Sequence, residues 1–375
     1  IEALRLAARA ALRSFREAGT PDATIHDYLP FSLDDARARE PTMLELTFLV
    51  ERVRHCFGFE LQHGRVVSEW LFAWPRGTKR VLFLRGNALE KHGESGNTPQ
   101  SREPLYLGHS LLVGVPEAKA LAQLLRPDVL FVSMLMAQPN RLETMRLWLE
   151  KRLVVADLLH DAPDHEATTV RLAKDEEFRS WLSAFLRWAD TGITAVRVIE
   201  RDGPTSRGAP TSAAYTIVSE HVASDGKSLP FLFRLESAGT KRLYALGALL
   251  YDALRDGGVL VLDELTTGLH HWVVRGLVRL FQSPETNPNG AQLVFTTHDA
   301  VLADNTLLRR DQVVLVEKDR DGSSETYSIS DVKEDKPRIG HPLLRDYMSG
   351  RYGGIPQIGD ALPPGVARRE SSDAR

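Results

Sequence analysis

The 375-residue sequence predicts an α/β fold with an antiparallel β lobe and a helical insert. Apolar and polar residues alternate in short runs over Thr42–Arg85, between turn signals, as in an antiparallel meander. Most of Pro116–Ala189 has apolar residues at helical spacing. A helical segment, Thr240–Leu254, is then followed by Val259–Leu262 and Gln292–Phe295, two continuous apolar runs of the kind that form buried parallel strands.

These patterns divide the chain into four regions. We expect an N-terminal helix with the β lobe at 1–106, the helical insert at 107–200, a C-terminal α/β lobe at 201–362 and a disordered tail at 363–375. Within the insert, Arg141–Leu159 is predicted to be a helix. Asn87–Glu103 is predicted to be a loop because it is polar and rich in Gly and Ser.

Composition argues against a disulfide-linked, membrane-spanning or secreted protein. Hydrophobic residues make up 43% and charged residues 26% of the chain, with a net charge of −3, as in ordinary globular proteins. A single cysteine, Cys56, cannot form an internal disulfide, which favours a cytoplasmic location. No apolar run is long enough for a membrane span and no signal peptide is present.

The strongest motif is the apolar run Val259–Leu262, which ends in Asp263 and Glu264. Ligands of open α/β sheets bind at the carboxyl ends of strands, and phosphoryl transfer needs a metal ion and a group that orients the attacking water. Asp263 suits the metal role, and Glu264 suits the role of general base. Taken alone, the motif is equally consistent with a strand followed by an acidic turn.

A second apolar run, Gln292–Phe295, is followed by Thr296, Thr297 and His298. His298 comes 34 residues after Glu264, with one predicted helix between them. This spacing is that of a βαβ unit, so the two strands can be neighbours. His298 can then stand near Glu264 and donate a hydrogen bond to a γ-phosphate, although a lone histidine is more often structural.

Small residues precede the predicted helix that begins at Thr240: Ser237, Ala238 and Gly239. Small side chains at a helix start let backbone N–H groups approach an anion, and the helix dipole adds to the attraction. Without other motifs, the simpler interpretation is a helix capped by Ser237.

The order of these motifs resembles the C-terminal half of ABC-type ATPase heads, including the structural-maintenance-of-chromosomes group and the OLD (overcoming lysogenization defect) ATPases. More narrowly, the chain is similar to a bacterial "AAA family ATPase" group often found in phage-defence islands. That similarity is carried by stretches spread over the chain, chiefly Leu235–Arg242, Leu262–His270, Asn287–Asp299, Arg309–Lys318 and Gly350–Pro356.

The resemblance implies a P-loop NTPase of ABC-ATPase type, acting as a homodimer or larger homo-oligomer with ATP and Mg²⁺. It makes Asp263 and Glu264 the Walker B pair, with Asp263 at the Mg²⁺, and His298 the switch histidine. Ser237, Ala238, Gly239 and Thr240 become the signature that contacts ATP held by the partner subunit. Thr266–His270 becomes a loop at the dimer interface. The implied role is phage defence, in which the ATP state controls an effector protein such as a nuclease or toxin.

One expected motif is missing from the printed sequence. No G-x-x-x-x-G-K-[ST] phosphate-binding loop occurs, and Gly226-Lys227-Ser228 is followed by Pro230 and a strand-like run instead of a helix. The opening helix, which begins at Ile1, has no capping residue before it. We therefore expect the true loop just upstream of Ile1.

Other interpretations remain open at this point. The chain can be a sensor or scaffold that binds ATP without hydrolysing it, or a DNA-clamping ATPase associated with repair or a nuclease. Asp319-Arg320-Asp321-Gly322 resembles a metal-binding Asp-x-Asp, but its position between two strand-like runs favours a hairpin turn. Arg309 and Arg310 can contact DNA, although two arginines more often form a solvated surface.

Overall fold

The computed structural model describes residues 1–20, 25, 28–92, 105–158, 165–200, 214–332 and 343–356. By its internal contacts the chain divides into two units, Ile1–Asp299 and Ala300–Arg375. The tail expected at 363–375 lies outside the described residues. None of the helices in the described ranges has the length and hydrophobicity that crossing a bilayer requires.

The N-terminal part of the first unit is a helix followed by the predicted meander. Its elements are α1 (Glu2–Arg13), β1 (Thr42–Val50), β2 (Val53–Gln62), β3 (Arg65–Trp74), β4 (Arg80–Gly86), α2 (Ala88–His92) and β5 (Leu105–Leu107). Consecutive strands pair antiparallel. The loop prediction was wrong at its start, because Ala88–His92 is a helix whose buried Ala88 packs against the sheet.

The insert is mostly helical, as predicted. It contains α3 (His109–Gly114), α4 (Ala118–Gln123), α5 (Phe131–Met136), α6 (Glu143–Leu147), β6 (Leu153–Asp157), α7 (His165–Lys174), α8 (Glu176–Trp188) and β7 (Ile193–Glu200). The helix predicted over Arg141–Leu159 was wrong in its second half. There the chain passes through a π-helical turn and becomes β6, which pairs in parallel with a strand more than 100 residues later.

The C-terminal part of the first unit follows the predicted order. It consists of β8 (Tyr215–Val222), β9 (Ser228–Leu232), α9 (Ala238–Asp256), β10 (Val259–Asp263), α10 (His271–Gln282) and β11 (Gln292–Phe295). Gly226-Lys227-Ser228 lies at the turn of the β8–β9 hairpin, where the Ala223 N–H donates to the Lys227 carbonyl at 2.8 Å. This Gly-Lys-Ser therefore does not form a phosphate-binding loop.

Two buried elements fix the position of the motifs. Leu260, Val261 and Leu262 of β10 are at most 1% exposed, so the strand end that carries Asp263 is held by the core. Helix α9 buries 11 of its 19 residues and contacts α7, α8 and β10. The helix that follows the small-residue motif is therefore packed against the rest of the unit.

The second unit contains a hairpin and a short helix: β12 (Val314–Lys318), β13 (Ser324–Ser328) and α11 (Leu343–Met348). The Asp319 N–H donates to the Ser323 carbonyl at 2.7 Å in the turn. The hairpin interpretation of Asp319-Arg320-Asp321-Gly322 is therefore confirmed. A small core around Ile329, Leu343 and Tyr352 supports the unit.

Candidate active site

Three parallel strands end together at one edge of the central sheet. β10 lies between β11 and β6. Leu262 pairs with Phe295, and Asp263 pairs with Asp157 at the end of β6. The prediction that β10 and β11 are neighbours is thus confirmed, and the polar residues after the three strands share one edge.

Glu264 and His298 contact each other at this edge. The Glu264 Oε1 and His298 Nε2 atoms are 2.9 Å apart. The Glu264 side chain is only 14% exposed, whereas the His298 side chain is 92% exposed. The carboxylate is therefore shielded, while the imidazole is accessible to a ligand from solvent.

Glu264 adopts an unusual backbone conformation. Its φ of 54° lies in the left-handed region, which costs a non-glycine residue on the order of 1–3 kcal/mol. Its N–H donates to the Thr296 hydroxyl at 2.9 Å, and its carbonyl accepts from the Thr267 N–H at 3.1 Å. These bonds hold a strained residue at the point where chemistry is expected.

Asp263 offers oxygen ligands of the kind that Mg²⁺ prefers. Its side chain is half-buried and accepts a hydrogen bond from the Thr296 hydroxyl. Within the described ranges, no three His, Cys, Asp or Glu side chains form a group that could hold a metal ion by themselves. Protein Mg²⁺ sites commonly use one or two carboxylates together with substrate phosphates, so this donor set fits Mg²⁺ delivered with a nucleotide.

The small-residue motif forms the cap of α9. The Ser237 hydroxyl accepts the Thr240 N–H at 3.1 Å and lies 2.9 Å from the Thr240 hydroxyl. Ser237 and Ala238 are exposed, and Thr240 is buried. A Cβ placed on Gly239 would lie 2.9 Å from the Gly268 carbonyl oxygen. The motif thus packs against the loop that follows Glu264, and its first two residues face solvent.

The chain matches a known family over the region that contains this edge. The family model described as "AAA domain, putative AbiEii toxin, Type IV TA system" matches residues 1–304. The chain belongs to this AAA-domain family. AAA domains are P-loop NTPases, and the match includes every site residue predicted from the sequence. No curated protein is significantly similar to the chain.

The AAA domain contains residues at this edge that sequence reasoning missed. Asp157 ends β6 and is buried. The signal was present, because Leu153–Asp157 is an apolar run that ends in an aspartate, like Val259–Asp263. The helical spacing of the preceding residues concealed it.

Arg242 was also missed as a site residue. It lies one turn into α9, and its Nη2 donates to the Glu264 carbonyl at 3.3 Å. Burial lowers the pKa of Arg242, and the negative charge of Glu264 opposes that shift. Arg242 thereby connects the α9 helix of the AAA domain to the strained residue after β10.

The loop Thr266–His270 is held at both ends. The Thr266 hydroxyl lies 2.8 Å from the hydroxyl of Thr297, which immediately precedes His298. His270 caps α10, since its Nδ1 accepts the Trp272 N–H at 3.3 Å. This contact gives His270 a structural role within the AAA domain.

Proposed function

We propose that this protein is an ATPase head that binds ATP between two copies of itself and hydrolyses it. The observation that carries the proposal is the 2.9 Å contact between Glu264 and His298 beside Asp263, at the shared end of β10 and β11. Two carboxylates, one for the metal ion and one as the base, and an exposed imidazole at the carboxyl edge of a parallel sheet suit phosphoryl transfer.

The reaction is in-line attack of water on the γ-phosphate. The Glu264 side chain, which is only 14% exposed, orients the water and accepts its proton. The exposed His298 ring can turn from Glu264 towards a γ-phosphate oxygen and donate a hydrogen bond to it. Asp263 would hold Mg²⁺, which when bound neutralises charge on the β- and γ-phosphates.

The signature residues act on ATP bound by the partner subunit. Ser237 and Ala238 are exposed at the positive end of a 19-residue helix, where anions are favoured. The Ser237 hydroxyl is already oriented by Thr240. A second copy that presents its triphosphate here completes the site, which makes the homodimer the catalytic unit.

An ATPase of this kind also needs a Gly-rich phosphate-binding loop, which the 375 printed residues do not contain. Among the described residues, β11 pairs on one side only, with β10. Val294 in this strand is 51% exposed. An unpaired strand edge can accept a further strand, so β11 offers a place at which a strand carrying such a loop could pair.

A mixing experiment on the full-length protein tests the shared site. Glu264→Gln removes the base of a subunit's own site, and Ser237→Arg blocks the site of its partner. Each variant alone should have no Mg²⁺-dependent ATP turnover. In a two-fold dimer, an equal mixture should regain about a quarter of wild-type turnover, because half of the dimers are mixed and each has one intact site. A mixture as inactive as its components would reject the shared site.

We further propose a role in phage defence, in which the ATP state controls an effector such as a nuclease or toxin. The description of the family names a putative toxin and a type IV toxin–antitoxin system, and the resemblance noted from the sequence points the same way. Cells carrying the gene in its natural genomic surroundings should plate phage less efficiently than cells carrying its Glu264→Gln form. Equal plating would argue against an ATP-controlled defence role.

A further inference from the structure

One threonine hydroxyl lies between the two carboxylate residues of the site. Thr296 follows β11 directly, and its Oγ1 accepts the Glu264 N–H at 2.9 Å. The same oxygen donates its hydrogen to Asp263 Oδ1. A hydroxyl has one hydrogen and two lone pairs, so it can make both bonds at once.

The backbone of Thr296 places this hydroxyl. Its N–H donates to the Leu262 carbonyl at 3.1 Å, and its carbonyl accepts the Leu265 N–H at 3.1 Å. Thr296 therefore makes hydrogen bonds to Leu262, to Glu264 and to Leu265, which lie before, at and after the strained position. The left-handed conformation of Glu264 satisfies all these bonds together.

We infer that Thr296 is a positioning residue for the reaction proposed above. Its hydroxyl fixes the rotation of the Asp263 carboxylate, which would face the cation. It also stabilises the left-handed conformation that directs the Glu264 carboxylate to His298. Thr296 acts through these two residues and need not contact ATP.

A purely structural role makes a different prediction. Threonine is common in strands because its branched side chain packs well there, and in that case shape matters and the hydroxyl does not. Valine has nearly the same shape without the hydroxyl, whereas serine keeps the hydroxyl without the methyl group. Thr296 is exposed, so neither change disturbs the buried core.

The first test needs neither nucleotide nor metal. Hydrogen–deuterium exchange of a peptide that contains Glu264 is compared between the wild type, Thr296→Val and Thr296→Ser, all in the full-length protein. Valine leaves the Glu264 amide without its acceptor. The exchange of this amide should then accelerate about tenfold, the factor that corresponds to the net free energy of one hydrogen bond. Serine should exchange like the wild type. Equal exchange in all three proteins would overturn the inference.

The second test measures ATP turnover against Mg²⁺ concentration. Thr296→Val should raise the half-activating Mg²⁺ concentration or lower kcat by about 10- to 100-fold, as for other groups that orient metal ligands, with little change in the KM for ATP. Thr296→Ser should remain near wild type. Full activity of the valine variant, or equal losses in both variants, would refute the positioning role. An inactive wild type with the expected exchange pattern would instead reject the proposed ATPase reaction and leave Thr296 as the holder of Glu264.

Discussion

Replacing Glu264 with Gln changes the proposed base with very little change in shape. Gln keeps an Oε1 atom that can accept the His298 N–H across the 2.9 Å contact. The left-handed conformation is held by the Glu264 N–H, which donates to the Thr296 hydroxyl, and by the Glu264 carbonyl, which accepts from the Thr267 N–H, so neither bond involves the Glu264 side chain. We therefore expect Glu264→Gln to fold, bind ATP and form dimers like the wild type.

The size of the kinetic effect follows from the lost chemistry. Gln can orient a water molecule but cannot accept its proton. Loss of a general base costs about 10²- to 10⁴-fold in rate, which corresponds to roughly 3–5 kcal/mol in the activation free energy. Because ground-state contacts are retained, the loss should fall on kcat and leave the KM for ATP within a few-fold of wild type.

Single-turnover ATP hydrolysis by the full-length protein measures this loss, and light scattering with MgATP measures the dimer. Glu264→Gln should accumulate as an ATP-bound dimer because the step that releases it is slow. Glu285→Gln is a matched control, since Glu285 lies in an exposed loop and should not affect turnover. If Glu264→Gln hydrolyses ATP within a few-fold of wild type, Glu264 is not the base and the non-hydrolysing scaffold becomes the better explanation.

Three further predictions concern packing and titration. Gly239→Ala places a Cβ 2.9 Å from the Gly268 carbonyl oxygen. The overpacking should lower the free energy of unfolding by about 1–3 kcal/mol, and with it the urea midpoint of unfolding and ATP turnover. An unchanged midpoint would contradict this. Gly58→Ala places a Cβ 2.3 Å from the indole of Trp70, which is 1% exposed, and should lower the urea midpoint without a specific effect on kcat. Burial raises the pKa of Cys56 from 9.0 to about 11, so the stability contributed by the protonated thiol is complete below pH 9 and is lost between pH 9 and 11. Alkylation of Cys56 near pH 9 should therefore be much slower in the native protein than in urea. Equal alkylation rates would disprove the burial.

The sequence was sufficient to predict elements whose cause is local. Val259–Leu262 and Leu293–Phe295 are apolar runs bounded by Gly or polar residues, and short apolar runs of this kind favour parallel strands. The expected burial was right for β10 and wrong for β11, in which Val294 is 51% exposed. Asp319-Arg320-Asp321-Gly322 could be assigned to a hairpin because turn residues separate two strand-like runs. In each case the information lies within a few consecutive residues.

The sequence could not reveal elements whose cause is distant. Leu153–Asp157 becomes a strand because it pairs with β10, more than 100 residues away, and the helical spacing of the residues before it concealed its own apolar run. Arg242 and Thr296 matter at the site through bonds to Glu264 that span 22 and 32 residues. No pattern in a linear sequence marks such partners in advance.

The sequence by itself thus determined which segments are strands and helices in most of the chain, and which strand ends carry carboxylates and an imidazole. Tertiary structure decided that β6 joins the central sheet, that Glu264 is held in a left-handed conformation, and that His298 lies within hydrogen-bonding distance of it. The physical reason is the range of the interactions. Propensity and hydrophobic periodicity act over a few residues, whereas strand pairing and side-chain hydrogen bonds join residues that only the folded chain brings together.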